Sequence, residues 1–267
     1  MPGPMPHLDL TVADYPYGAP CWLDLLVTDV EGAQHFYAEL FGWRWLAGEE
    51  STGGYPLALL DGHPVAGLSR RPPTAPVPSQ WTTYLRVGDI DAAAGAIRTR
   101  GGRTLGNPVS LGDLARTLVA RDPQGAWFGI WEPLELPGCG LLGEPGSLAW
   151  NELLTRGYPG ALAFARSVFG HDFTDLTEAD GPRWSVAHTD DGNPAFGLAE
   201  IGPEWDSSIP SHWVASFAVG GMGAAVETAL RLGAALVQEP FDGPFGESAV
   251  LTGREGEVFG LLVPHDD

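Results

Sequence analysis

The sequence predicts an α+β fold built from four βαβββ units in two tandem domains. The main observation is an internal repeat, in which segments of the second half resemble segments of the first at nearly constant separation. A second observation is that each half contains two strand–helix–strand patterns of similar length. The repeated segments are residues 22–26 with 150–154, 81–88 with 213–220, and 125–133 with 256–264.

The first unit shows the pattern most clearly. A strand that begins near Trp22 is followed by Asp29, a residue type that caps helix N-termini. Apolar residues then recur with a period of 3.6 up to Phe41, which predicts a helix over 30–41. Two short strands are expected at 55–60 and 64–68, separated by an Asp-Gly turn.

The other three units repeat this plan. A strand is predicted at 82–87 and a helix at 90–100, which a Gly-Gly pair terminates. The second half predicts helices near 158–168 and 222–232. Segments rich in proline and glycine mark the boundaries. The predicted organisation is a loose N-terminal arm at 1–17, a first domain at 18–134, a linker at 135–146 and a second domain at 147–267.

Composition excludes several functions. The chain is 44% hydrophobic with a net charge of −20, so we expect a globular protein that repels nucleic acid and anionic membrane surfaces. The segment 1–19 lacks a basic region and an apolar core, so it does not resemble a secretory signal and predicts a cytoplasmic protein. All basic residues are arginines, which rules out a catalytic lysine. A monomer or a homodimer is expected.

Several motifs together resemble the vicinal oxygen chelate superfamily, which includes glyoxalases, bleomycin-resistance proteins and dioxygenases. They are a strand followed by Asp29-x6-Phe-Tyr-x3-Phe-Gly-Trp, then Val87-Gly-Asp-Ile-Asp, and later Asp122-Pro-x-Gly-x2-Phe. The resemblance covers nearly the whole chain. It implies that paired βαβββ units curl into a cup-shaped mixed sheet, with helices outside and a ligand in the cup.

The resemblance also implies where a metal would bind, because the metal enzymes of the family take His, Gln and Glu ligands from four strand positions. Those positions here are Trp22, Gly67, Thr82 and Gly129 in the first domain, and Trp150, Gly197, Val214 and Gly260 in the second. None of these residues is a usual metal ligand, and three converging donors are needed. We therefore expect neither a metal nor a cofactor.

Strand alternation predicts which side chains face the cups. Glycines at the floor positions and tryptophans around them favour a pocket for a flat apolar molecule. The expected ligand-binding residues are Trp22, Asp24, Gly67, Thr82, Tyr84, Arg86, Trp127, Gly129, Trp131, Trp150, Glu152, Gly197 and Gly260. Four further tryptophans lie near strand starts or in loops, where any of them could line a pocket mouth, but core packing is expected for each: Trp81, Trp184, Trp205 and Trp213. Asp24 and Glu152 could bind a ligand or form a buried pair with Arg86.

The leading hypothesis is a metal-independent protein that binds a planar aromatic natural product, such as an anthracycline, for self-resistance or as an accessory to a tailoring oxygenase. The resemblance to antibiotic-sequestering members implies this function. One alternative is a metal-independent isomerase, cyclase or hydrolase that uses Asp24 or Glu152 as acid or base. Another is a glyoxalase-like or dioxygenase-like metalloenzyme. The sequence leaves open which units share a cup and whether both cups are functional.

Overall fold

A computed structural model describes residues 15–179 and 181–265 of the chain. The first domain contains two helices and nine strands. Helices α1 and α2 span Val30–Phe41 and Ile90–Thr99. The strands are β1 Pro20–Val27, β2 Arg44–Leu46, β3 Leu57–Leu60, β4 His63–Arg70, β5 Gln80–Arg86, β6 Arg103–Thr104, β7 Val109–Ser110, β8 Ala115–Arg121 and β9 Trp127–Pro133.

The second domain repeats this arrangement with eight strands. Helices α3 and α4 span Tyr158–Phe169 and Met222–Arg231. The strands are β10 Leu148–Thr155, β11 Asp172–Asp175, β12 Trp184–His188, β13 Pro194–Glu200, β14 His212–Ala218, β15 Ala235–Gly243, β16 Gly246–Thr252 and β17 Val258–Pro264.

Each domain forms its own mixed sheet. The strand orders are β2-β3-β4-β1-β5-β9-β8-β6, with β7 beside β8, and β11-β12-β13-β10-β14-β17-β16-β15. In both sheets the first strand pairs in parallel with the last strand of its own unit and antiparallel with the first strand of the next unit. The α+β architecture predicted from the repeat is confirmed, and the two units that share a sheet belong to the same domain.

The helix boundaries predicted from the sequence agree with those of the structure to within one residue. Asp29 caps α1 by accepting a hydrogen bond from the Gly32 backbone N–H, and Gly42 ends the helix in the left-handed conformation. The segment expected as a strand at 55–60 is shorter than predicted, because Tyr55 and Pro56 lie in the loop before β3.

The end of the predicted N-terminal arm is not loose. Residues 1–14 lie outside the described part of the chain, but Tyr15 is buried and its hydroxyl donates to the Cys139 carbonyl oxygen at 2.9 Å. Cys139 belongs to the predicted linker, and its backbone N–H donates to the carbonyl oxygen of Cys21 at 2.8 Å. The arm and the linker therefore pack together beside β1.

The helix-bearing faces of the two sheets pack against each other. One core cluster joins apolar residues of β1 and α1 to residues of β14, α4 and β17. A second cluster joins α2 and β9 to α3 and β13. Within the first cluster, the Phe217 ring lies 4.7 Å from the Phe41 ring and 5.1 Å from the Trp81 ring. Each sheet therefore has only its opposite face free of the other domain.

Two polar contacts fix this arrangement. The Thr83 hydroxyl of β5 donates to the Asn151 side-chain oxygen of β10 at 2.7 Å, and both residues are buried. The Glu255 carboxylate accepts hydrogen bonds from the backbone N–H groups of Thr28 and Asp29 and from the Ser79 hydroxyl. None of the described helices is both long and apolar enough to cross a membrane.

Because the domains share their cores, we expect Phe217→Ala to destabilise the whole chain. Truncating a buried phenylalanine costs about 3–5 kcal/mol. Urea unfolding followed by Trp fluorescence and by far-UV circular dichroism should shift together in one transition. Leu230→Ala, at an exposed position of α4, should change the free energy of unfolding by about 0.5 kcal/mol or less. Separate transitions for the two domains in the Phe217 variant would contradict the shared core.

Candidate functional site in the second domain

The two free sheet faces differ in how they are filled. We define the first cup as the face that carries Trp22, Asp24, Tyr84 and Trp131, and the second cup as the face that carries Trp150, Glu152, Ser216 and Leu262. The strand register shows that these residues are equivalent. Tyr84 of β5 pairs with Trp22, and Ser216 of β14 pairs with Trp150. Trp131 and Leu262 are matched in the same way in β9 and β17.

Aromatic side chains fill the first cup. The rings of Trp22 and Trp131 stack at 5.2 Å, and the Tyr84 ring meets Trp131 edge-on at 5.9 Å. All three residues are buried, and they form one cluster with Tyr15 and with Leu136 of the predicted linker. The predicted site residues in this cup are therefore brought together, but as a packed core.

The glycines of the first cup make room for these rings. A Cβ atom on Gly67 would collide with the Tyr55 side chain, and one on Gly129 would collide with the Tyr84 ring. The expectation of a pocket floor emptied by glycine is wrong at these two positions, because neighbouring tyrosines use the space. Thr82 is also buried on this face, where it accepts a hydrogen bond from Gln80.

Asp24 is satisfied by hydroxyl groups. Tyr55 and Ser69 donate to Asp24 Oδ1 at 2.7 and 3.2 Å. The alternative of a buried pair between Asp24 and Arg86 is wrong, since no ion pair joins these two side chains in the described part of the chain. Burial raises the pKa of Asp24 to about 7, and the hydrogen bonds from Tyr55 and Ser69 oppose this increase only in part.

The second cup contains an open cavity of about 1070 Å³. The equivalents of Tyr84 and Trp131 are the smaller residues Ser216 and Leu262, and both line the cavity. Trp150 and Glu152, two of the residues predicted to bind a ligand, line it as well. Its volume is slightly above the range of about 300–1,000 Å³ that small-molecule sites occupy.

Aromatic residues dominate the walls of this cavity. Trp184 and Trp205, for which core packing was expected, line the cavity instead, and so does Phe245 of the β15–β16 turn. The Phe245 ring lies 4.6 Å from the Trp150 ring and 5.9 Å from the Trp184 ring. Strand alternation gave no prediction for Phe245, which lies in a turn, and left the pocket mouth as the less favoured position for Trp184, which begins a strand.

The cavity extends towards the first domain. Trp127 of β9 lines this extension, with the Arg121 guanidinium 5.4 Å from its ring, and Trp81 borders it as well. Trp127 was predicted to face the first cup together with Trp22 and Trp131. It lines the cavity instead, whereas Trp22 and Trp131 do not. Arg86 is half-buried and is not among the lining residues of the cavity.

The two remaining predicted glycines lie on the second cup. A Cβ atom on Gly260 would collide with the Ser216 side chain, so this glycine makes room for a neighbour. A Cβ atom on Gly197 would lie 3.2 Å from Trp150 Nε1 and 3.0 Å from Glu152 Oε1. Gly197 therefore leaves two polar atoms facing one small space.

Glu152 is the acidic group beside Gly197 in the second cup. Its Oε1 atom accepts a hydrogen bond from Trp184 Nε1 at 2.8 Å. Burial raises the pKa of Glu152, and the hydrogen bond from Trp184 opposes this increase. Glu152 can therefore accept a hydrogen bond when ionised or exchange a proton with a bound molecule.

The residues present do not fit the metal of the family's enzymes. Among the described residues, no group of three or more His, Cys, Asp or Glu side chains is placed to hold an ion. The eight positions that correspond to metal ligands carry glycine, tryptophan, threonine or valine. Neither cup offers the three converging donors that a divalent ion needs.

The pKa of Asp24 predicts a pH dependence of stability. The folded chain holds this proton up to about pH 7, whereas the unfolded chain releases it near pH 3.8. The folded chain binds more protons over this interval, so its stability falls as the pH rises. In urea unfolding at several pH values, wild type should lose stability relative to Asp24→Asn from about pH 4 to pH 7. Asp190→Asn, at an exposed position, controls for loss of charge; a constant difference between wild type and Asp24→Asn would contradict the assignment.

Sequence relatives cover nearly the whole chain. The putative glyoxylase CFP32 of Mycobacterium tuberculosis is 35% identical over 260 residues, which are 94% of this chain and 97% of the relative. The anthracycline biosynthesis protein DnrV of Streptomyces peucetius is 32% identical over 261 residues, which are 92% of this chain and 93% of the relative. The relatives therefore include proteins named for a glyoxylase and for antibiotic biosynthesis.

Solved structures share the fold. The Mn(II)-bound glyoxalase from Novosphingobium aromaticivorans aligns with a TM-score of 0.62 at 14% identity, over 93% of this chain and 82% of that chain. The 2,3-dioxygenase LapB from Pseudomonas sp. KL28 aligns with a TM-score of 0.61 at 14% identity, over 95% and 94%. The model of the glyoxalase/bleomycin resistance protein/dioxygenase superfamily matches residues 20–130. With its whole-length relatives, this match establishes that the chain belongs to the glyoxalase/bleomycin resistance protein/dioxygenase superfamily.

Proposed function

We propose that the chain binds a flat aromatic molecule in the second cup, without a metal, and does not transform it. The observation that carries this proposal is the difference in side-chain volume between the two cups. Where Tyr84 and Trp131 fill the first cup, Ser216 and Leu262 leave a cavity in the second. A cavity retained in one of two otherwise similar units is the default candidate for a ligand site.

The walls of the cavity favour an aromatic ligand. The rings of Trp150, Trp184, Trp205 and Phe245 all border it. Stacking against such rings contributes about 0.5–1.5 kcal/mol per pair beyond the burial of apolar area. A ligand with several fused rings can contact more than one of them, and it buries enough apolar surface to offset the cost of association.

Charge favours a neutral or cationic ligand. Glu152, Glu178 and Asp242 line the cavity, while Arg121 is the basic side chain with a permanent charge among its lining residues. The net charge of −20 adds a general attraction for cations. An amine on the ligand, such as the amino sugar of an anthracycline, would be attracted to this region, and the attraction should weaken with salt.

The relatives support a context in antibiotic metabolism. DnrV, named as an anthracycline biosynthesis protein, matches the chain over nearly its whole length. We propose the same class of ligand, a planar polyketide, for this protein. Its role would be self-resistance or the presentation of the ligand to a tailoring oxygenase.

A metal-independent enzyme is the second candidate, and Glu152 is the residue that favours it. Burial raises the pKa of this carboxyl, and it faces the cavity, so it could act as a general acid or base. Asp24 does not share this role, since the side chains of Tyr55 and Ser69 satisfy it inside the packed first cup. Recovery of a chemically changed ligand, with loss of turnover in Glu152→Gln, would favour the enzyme.

The binding proposal predicts that Ser216→Tyr abolishes the site. The new tyrosine should fill the second cup as Tyr84 fills the first, because Gly260 leaves the same space that Gly129 leaves. Titration of intrinsic Trp fluorescence with an anthracycline should show micromolar binding to wild type and at least about tenfold weaker binding to the variant. Ser167→Tyr, on the exposed side of α3, is the matched control and should bind as wild type does.

Equal binding by Ser216→Tyr and wild type would place the ligand outside the second cup. Absence of quenching in wild type at micromolar concentrations would overturn the proposal itself. Thermal melting of each variant, without ligand, distinguishes a blocked cavity from a failure to fold.

The proposal also predicts independence from metal. Since the residues of the two cups do not form a metal site, treatment with a chelator should change neither the melting temperature nor the affinity for the anthracycline. Elemental analysis of the purified protein provides the direct measurement. A stoichiometric transition metal, with loss of binding after its removal, would contradict this prediction.

A further inference from the structure

The first cup contains a chain of three polar groups that includes a phenol. Trp22 Nε1 donates to the Tyr55 hydroxyl at 3.0 Å, and this hydroxyl donates to Asp24 Oδ1 at 2.7 Å. The hydroxyl can link the two because it accepts one hydrogen bond and donates another. This single oxygen therefore serves both the indole N–H and the carboxylate, and the Ser69 hydroxyl donates a second hydrogen bond to Asp24 Oδ1.

The second cup has the same positions with different chemistry. Trp150 is equivalent to Trp22 and Glu152 to Asp24, by the register of β1 and β10 with their neighbours. Gly197 pairs with Val186 of β12, and Gly67 pairs with Leu57 of β3. Trp184 and Tyr55 each lie two residues before these partners, so the two side chains occupy equivalent positions. Indole has a donor but no acceptor, so Trp184 cannot take over both roles of the phenol.

This exchange leaves an unused donor. Trp184 Nε1 donates to Glu152 Oε1 at 2.8 Å, as Tyr55 does to Asp24. Trp150 Nε1 is buried and has no hydrogen-bond partner in the described part of the chain. A buried donor without an acceptor is unfavourable, and native proteins rarely keep one without a reason.

The unused donor and the carboxylate border the same space. A Cβ atom on Gly197 would lie within 3.2 Å of Trp150 Nε1 and 3.0 Å of Glu152 Oε1. Glycine at this position therefore keeps both polar groups within reach of one small substituent. Trp184 is the only donor to Glu152 in the described residues, so Glu152 can still accept from another group.

We propose that the second cup recognises a hydroxyl group on an aromatic ring, which takes the role that the Tyr55 phenol has in the first cup. The hydroxyl oxygen accepts from Trp150 Nε1, and its proton is donated to Glu152. Because this inference specifies the ligand of the second cup, it rests on the proposed function. It narrows the ligand class from flat aromatic molecules to phenolic ones.

Phe245 marks the place of the ligand ring. It packs over Trp150 and also contacts Trp184, and it is 38% exposed on the turn between β15 and β16. The phenolic ring takes the place of this side chain when its hydroxyl reaches Trp150 Nε1. Phe245 lines the cavity and is partly exposed to solvent, so the proposal requires this side chain to turn away from Trp150 when the ligand binds.

The test compares naphthol with its methyl ether, since the ether oxygen accepts a hydrogen bond but cannot donate one. Isothermal titration calorimetry with wild type should give an affinity about tenfold higher for naphthol, as expected for one hydrogen bond to a charged group. Trp150→Phe, which lacks the donor, should weaken the binding of both compounds and leave this ratio unchanged, because naphthol and its ether both accept from Trp150 Nε1. The ratio should fall towards one in Glu152→Gln, because the amide is uncharged and offers a donor at one of its two positions.

The control is Trp45→Phe, an indole of the first domain whose Nε1 donates to the Gln34 carbonyl oxygen. It should keep the wild-type affinities for both compounds and therefore their ratio. Equal affinities of wild type for naphthol and its ether, a ratio that persists in Glu152→Gln, or unchanged affinities in Trp150→Phe would overturn the phenol site while leaving the binding of aromatic molecules intact. If neither compound binds, the proposed function fails together with this inference. Thermal melting verifies that each variant is folded.

Discussion

The packing of the two helix-bearing sheet faces against each other is the constraint on which the rest of the structure depends. Phe41 and Trp81 of the first domain share a core with Phe217 of the second, and Thr83 and Asn151 meet in the same buried layer. Burial of these aromatic surfaces is the main source of stability for such an interface. It also leaves each sheet with a single face that a ligand can reach.

Side-chain volume then decides which of the two cups contains a cavity. The central strands of the two sheets have the same order and the same register, so these strands do not distinguish the cups. Tyr84 and Trp131 fill one cup, while Ser216 and Leu262 leave the other open. The two similar domains therefore differ at a few residues, which leave one cup packed and the other with a cavity.

Much of this fold could be predicted from the sequence, because the repeat and the 3.6-residue period depend on local patterns. Asp29 and Gly42, for example, fix the ends of α1 through capping alone. The contents of the cups were harder to predict, because strand alternation states which face a side chain takes but not whether a neighbour fills the space. Tyr55 illustrates this limit: it lies before its strand, yet it completes the hydrogen bonds of Asp24.

One signal in the sequence could have identified the open cup. The repeat already matched Tyr84 with Ser216 and Trp131 with Leu262, so comparing side-chain sizes at these pairs would have indicated the second domain. The pairing of helix faces across domains had no such signal, since periodicity identifies an apolar face but not its partner. Trp184 begins a strand and Trp205 lies in a turn, where strand alternation does not predict a side-chain direction. Core packing was therefore the favoured prediction for both, although they line the cavity.

A crystal structure of the protein with a hydroxylated polycyclic aromatic compound would show directly which cup binds a ligand. We expect electron density for the compound in the second cup, in contact with Ser216 and Trp184, while Tyr55 and Tyr84 keep their positions in the first. Density for the compound in the first cup, with Tyr55 or Tyr84 displaced, would contradict this expectation.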